Sequence, residues 1–293
     1  MLDKNKSKDL IKFYSICKDL LDEKAKLASV PLGELEWYFN PLSDKHIERY
    51  STIFNTNFDI HKNYQDFVFA RFTASMFNSG FRNYMTNDPQ KFIELSKSLL
   101  EFKLNTIKYL KWEDYQNDVI NNSSYPCINK NIKEQNQEQI FRGVFDIVKF
   151  LQTNQFSHNN GSKPTSFDDY MMNVSNIVNT NSFKHIYGMG FALFSDAIKE
   201  SGIIDLAKPD VHVIDVFNKA FGSKNEFVRP SKTIDLENIL RVFYDISIAT
   251  NESIYKIDKI IWMVAAKPGN DFYLHPMNTS TVNFKQKLLN SMP

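Results

Sequence analysis

Ile186-Tyr187-Gly188-Met189-Gly190, followed after one helical pattern by Lys208-Pro209-Asp210-Val211-His212-Val213, is the stretch on which the reading of this chain turns. Two glycines separated by one residue let a tight turn adopt positive φ and bring backbone amides close to a phosphate at the start of the next helix. Ile186 and Met189 supply apolar anchors for such a turn, and the segment from Phe191 places Leu193, Phe194, Ala197 and Ile198 on one helical face. Gly-x-Gly alone also serves as an ordinary helix-helix connection. A dinucleotide-binding fingerprint would need a strand before the glycines and a third glycine inside the helix, and neither is present.

Outward from this stretch, apolar residues keep recurring at helical spacing: Leu10, Phe13, Cys17, Leu20 and Leu21 near the start, then Phe67, Phe69, Phe72, Met76 and Phe77. Helices are expected over 89–102, 134–153, 166–178, 192–201, 210–221 and 235–265, the last interrupted near Asn251. No period-two run argues for a strand, so the fold class is all-α. Breaks fall at Pro31–Asn40, at Asn121–Asn131 and at Asn159-Asn160-Gly161-Ser162-Lys163-Pro164. No solenoid period is visible, which disfavours a repeat scaffold.

A hydrophobic content of 42% with 25 Phe is ample for a sizeable core. The longest apolar run, Ile260–Ala266, is far short of the about 20 residues of a bilayer span, and the first residues show no secretory core. The expectation is a cytoplasmic protein with no membrane role. Cys17 and Cys127 are too few for a disulfide framework or a thiolate cluster, and read as core or inert surface residues. The formal net charge of +1 announces no large nucleic-acid footprint, although a basic face can be assembled locally.

The chain resembles the helix-hairpin-helix (HhH-GPD) DNA glycosylases related to endonuclease III and 8-oxoguanine glycosylase. Their hairpin reads Leu-Pro-Gly-Val-Gly; Ile186–Gly190 matches it with Ile for Leu, Tyr for Pro and Met for Val. In that family a catalytic aspartate comes after the hairpin and one helix in a Val-Asp-x-His context. Asp210-Val211-His212 fits this, 20 residues after Gly190. The resemblance extends over roughly Asn63–Ala266. Phe67–Ser79 is similar to an early core helix whose end supplies the residue that fills the gap of a flipped base, here Asn78. Thr165–Tyr170 resembles the segment before the hairpin, and Ile257-Asp258-Lys259-Ile260-Ile261-Trp262 a closing helix.

The resemblance implies a two-lobed helical fold with an N-terminal helical extension over residues 1–60, a glycosylase core over 61–270 (hairpin 183–202, catalytic loop and helix 208–221) and a C-terminal tail over 271–293. It implies a monomer that binds double-stranded DNA with one base flipped out. DNA contacts fall to Gly188, Met189, Gly190, His212 and Asn78, and Phe77, Phe81, Arg82, Tyr187 and Trp262 are base-pocket candidates; on residue type alone the aromatics read more readily as core, and Arg82 reads equally as a solvated surface residue.

Cleaving an N-glycosidic bond builds positive charge on the sugar, and a carboxylate beside it stabilises that charge and orients water. Asp210 is the candidate. Taken alone, an aspartate after proline at a helix start is simply an N-cap. Bifunctional relatives carry a lysine at the position occupied here by Ala192, so a monofunctional enzyme leaving an abasic site is expected, acting in base-excision repair. Lys184 precedes the hairpin, and Lys199 lies two helical turns along. The cysteine set for the iron-sulfur cluster of some relatives is missing, and the six histidines show no zinc spacing. No cofactor is therefore expected, beyond the structural monovalent cation that the resemblance allows at the hairpin. Two other readings stay open: excision of a bulky modified base, such as modified cytosine of phage DNA, in defence, and a non-catalytic helix-hairpin-helix DNA-binding module. A helical protein-interaction protein, whose Gly-x-Gly is just a turn, is a further class.

Overall fold

The apolar stripe of Leu10, Phe13, Cys17 and Leu21 is the buried face of the first helix, α1 (Lys4–Leu27). The computed structural model describes residues 4–77, 103, 107–117, 134–158, 164–177, 185–221, 227–228, 233–265 and 282–291. After α1 come α2 (Asp44–Phe54), α3 (Tyr64–Phe77), the single turn α4 (Trp112–Tyr115), α5 (Glu134–Thr153), α6 (Phe167–Ile177), α7 (Phe191–Glu200), α8 (Val211–Ala220), α9 (Thr233–Thr250), α10 (Ile254–Ala265) and α11 (Phe284–Asn290). The chain is all-α, with no strand among the described residues.

The expected helices over 134–153, 166–178, 192–201 and 210–221 correspond to α5, α6, α7 and α8 to within a residue at each end. The expected 235–265 stretch is two helices, divided at Asn251, whose φ of 57° ends α9. Pro31–Asn40 is more ordered than the break expected there. Leu32–Phe39 is a 3-10 helix, because Leu35 and Tyr38, three apart, both turn inward. The helix expected over 89–102 lies outside the described residues.

The chain divides into two units. A terminal unit combines residues 1–43, 160–180 and 204–293; a middle unit holds 44–159 and 181–203. The sequence boundary near residue 60 is therefore not a boundary between units: α1 belongs to the core of the terminal unit, and α2 to the middle one. Within the terminal unit α1 packs on α9, α10 and α11. Phe217 of α8 meets Phe13 of α1 at 6.1 Å and Phe243 of α9 at 5.0 Å between ring centroids, which fixes the helix that carries Asp210 at its start. Lys24 is buried and donates to the carbonyl of Met263, one of the orphan acceptors in the last turn of α10. The C-terminal segment contributes α11, which packs against α1, α8 and α10.

The middle unit is built around α3. From Phe67 to Met76 every residue of this helix is buried, so it is a central helix lined by α2, α5 and α7. Phe72, Phe150 and Phe194 form a ring cluster at 5.5–5.7 Å joining α3, α5 and α7. The apolar stripe also carries Arg71, Thr73 and Ser75 inward, and a buried cation or hydroxyl needs a polar partner. Helix α7 supplies it to Arg71 and Ser75 through Glu200 and Asp196.

Candidate functional site

The described sequence candidates divide between the two units. In the middle unit the hairpin is a turn at residues 185–190 leading into α7. Gly188 has φ of 77°, a conformation side chains resist, and the turn closes with the Met189 amide donating to the Ile186 carbonyl at 3.2 Å. Ile186 and Met189 are buried as expected, while Tyr187, Gly188 and Gly190 face solvent. Gly190 is the N-cap of α7; its carbonyl accepts from Leu193 and Phe194, and its amide and that of Gly188 have no partner among the described residues. The far end of α7 closes as a Schellman motif, with Gly202 at φ 72° donating to Lys199 and Ile203 donating to Ile198.

Helix α5 seats this hairpin, which the sequence reading missed. Asp146 accepts the Tyr187 amide at 3.0 Å, and burial raises its carboxyl pKa above the usual carboxylate range against the lowering effect of that amide, Arg142 and His185. The guanidinium of exposed Arg142 lies 5.2 Å from the Tyr187 ring. Between them, Gly143 lets the hairpin backbone approach: a Cβ there would stand 2.5 Å from Met76 Sδ and 2.9 Å from the Tyr187 carbonyl oxygen. A glycine inside an amphipathic helix, three residues before an aspartate, was the available signal. Gly143→Ala is accordingly expected to push the hairpin off α5. Overpacking of this kind costs about 1–3 kcal/mol, and the Tyr187 amide should lose its protection from hydrogen exchange. Unchanged protection of that amide would show that α5 yields instead.

In the terminal unit Asp210 is the N-cap of α8, with Oδ1 accepting from the amides of His212 at 2.9 Å and Val213 at 3.1 Å. Its Oδ2 accepts no hydrogen bond from the described residues, and the side chain is partly exposed. The carboxylate thus anchors a helix with one oxygen and presents the other. His212, two residues along, is half-buried, and its Nδ1 is enclosed without a partner among the described residues. Burial holds its pKa below the ordinary histidine value; the Asp210 carboxylate opposes this, Lys285 and Lys208 reinforce it, and Asp215 opposes it.

With the folded pKa below the unfolded one, the unfolded chain binds more protons in the interval between them. His212 therefore costs stability as pH falls from the unfolded value of about 6.5 toward the folded pKa. The urea midpoint of His212→Gln should decline less than that of the parent protein between about pH 7 and 5. Equal declines would remove His212 from that role.

Of the pocket candidates, Trp262 lies on α10 in the terminal unit, partly exposed between buried Ile261 and Met263. Tyr187 lies in the middle unit on the hairpin itself. Phe77 ends α3, and Asn78, Phe81 and Arg82 lie outside the described residues, as does the side chain of Phe77. Ala192 is partly buried on the first turn of α7. Lys199 is almost wholly buried, paired with Glu200 at 2.9 Å and Asp196 at 3.6 Å. No group of three or more side chains suited to a metal ion occurs among the described residues, and none of the described helices is long and apolar enough to cross a membrane.

No family model, curated protein or solved structure matches the chain. A functional reading therefore rests on the chemistry of these residues.

Proposed function

We propose that this protein is a monofunctional DNA glycosylase of the helix-hairpin-helix type, which hydrolyses the bond between a damaged or modified base and its sugar and leaves an abasic site. One observation carries the reading: Asp210 is held at the start of α8 through Oδ1 alone, with Oδ2 unbonded to any described residue. A carboxylate fixed in that way costs little reorganisation when positive charge develops on the sugar. The base departs with the bonding electrons, water adds at the sugar carbon, and the carboxylate takes the proton that the water loses.

The hairpin supports the DNA half of the reading. Its exposed amides at Gly188 and Gly190, beside the positive φ of Gly188, suit a backbone phosphate without side-chain charge. The division into a middle unit and a terminal unit made from both chain ends is in keeping with a two-lobed architecture. Burial and pairing of Lys199 support the reading that this lysine is not a nucleophile, since an amine enclosed between two carboxylates is not presented to a sugar.

The test is a panel of lesion-bearing and modified duplexes, including modified cytosines, scored for alkali-labile sites with a borohydride trap in parallel. Abasic sites without a covalent adduct are expected. A robust adduct would overturn the monofunctional assignment. Salt-sensitive duplex binding with no abasic site on any substrate would leave a DNA-binding module instead.

A further inference from the structure

The segment from Asp205 to Asp210 joins the end of the α7 turn to α8, and it is tied to α10 at two points. Near its start, the Asp205 carboxylate accepts the amides of Ile254 at 2.9 Å and Tyr255 at 2.6 Å, two of the first-turn donors of α10 that have no partner inside the helix. Near its end the direction reverses: Asp258, one turn further along α10, accepts the amide of Lys208 at 3.2 Å. The segment thus caps the helix and the helix holds the segment. The rest of the segment is constrained as well. Leu206, Ala207 and Pro209 are buried, and the Asp210 amide donates back to the Lys208 carbonyl at 2.8 Å across Pro209.

Asp258 is the unusual member of this brace. It is 1% exposed, and an aspartate in a helix interior is a poor helix former that is rarely buried. In the same unit the hydroxyl of Tyr170 is enclosed without a partner among the described residues, and the carboxylates of Asp205 and Asp258 help to raise its pKa, after burial. An apolar residue would fill this place on α10 at lower cost. What an apolar residue could not do is hold the Lys208 amide.

We propose that Asp258 is a positioning residue that fixes the Lys208–Asp210 segment and thereby aims Oδ2 of Asp210, the oxygen that accepts no bond from the described residues. The inference rests on the glycosylase reading for what Asp210 acts upon. The brace itself can be tested without it.

The experiment compares Asp258→Ala and Asp258→Asn in the full chain, with Leu288→Ala as a core truncation on α11 that leaves the Asp258–Lys208 bond in place. Asn keeps an acceptor oxygen at the same reach; Ala removes it. Amide exchange over residues 208–213 should quicken in D258A by about tenfold beyond any change in L288A, and return to the parental rate in D258N. On a substrate duplex that the parent protein processes, D258A should lower kcat by about 10–100-fold, because a small misplacement of a reacting group is costly, with KM nearly unchanged. D258N should recover most of that loss. Exchange in D258A indistinguishable from L288A would overturn the brace, and so would D258N quickening residues 208–213; the latter comparison decides the matter even where D258A fails to fold. A parent protein with no base release on any duplex defeats the glycosylase reading, while the exchange comparison still decides the brace.

Discussion

Asp210→Asn should leave a folded protein that binds duplex DNA and releases no base. Asparagine is as good an N-cap as aspartate, so the bonds from His212 and Val213 to Oδ1 are retained and α8 stays seated. What disappears is the negative charge at the second oxygen. If that charge faces the oxocarbenium-like sugar, its removal should cost about three orders of magnitude in rate, the scale seen when an electrostatic partner of a transition state is lost. Duplex affinity should change by no more than about threefold, since the contribution is made in the transition state and not on binding. Asp210→Ala separates the two roles of the residue: it should be equally inactive, and should in addition lose about 1 kcal/mol of stability with the cap. Single-turnover base release measured beside urea unfolding for both variants checks this. Turnover retained in D210N would reduce Asp210 to a cap.

Much of this arrangement is legible before any coordinates. The cap at Asp210 can be read from Pro209 and the apolar spacing of Val213, Ile214 and Phe217, which are local properties of one short stretch. The positive φ of Gly188 is legible in the same way from its position between Tyr187 and Met189. The helices over 134–153 and 166–178 are readable because burial imposes a period on consecutive residues. Pairings between distant faces leave no such trace. Nothing local shows that Gly143 faces the Tyr187 carbonyl, that Asp258 reaches the Lys208 amide 50 positions away, or that α1 joins the core of the C-terminal helices. Polar residues on an apolar stripe are the nearest hint. Arg71, Ser75, Asp196 and Asp258 are each polar residues within a run of buried side chains, and each proves to hold another segment of its own unit.

Arg71→Met should cost the middle unit about 3–5 kcal/mol, the penalty for leaving one member of a buried ion pair behind. Arg71 is 1% exposed and bonds the Glu200 carboxylate through its guanidinium, while its Nε donates to the Glu200 carbonyl at 2.6 Å, satisfying an orphan acceptor at the end of α7. The ring of Tyr50 covers the guanidinium at 4.1 Å. Methionine fills part of that volume but supplies no donor. Two buried carboxylates, Asp196 and Glu200, then share the ammonium of Lys199, with Ser75 donating to Asp196. Replacing both partners should be far milder: Arg71→Met with Glu200→Leu removes the stranded charge, and in such cycles the apolar pair regains most of the loss. Urea unfolding of the parent, both single variants and the double variant yields the coupling directly; a cost below about 1 kcal/mol for R71M would place the pair among ion pairs of no consequence. The effect should also reach the hairpin. Helix α7 is N-capped by Gly190 and ends at the Arg71 contact, so its hold on α3 fixes the helix whose N-terminus the hairpin presents. Faster amide exchange at Met189 and Gly190 in R71M, recovered in the double variant, is the expected sign that a buried ion pair steadies the exposed turn at residues 185–190. Exchange there that is unchanged in R71M would confine the pair to stability alone.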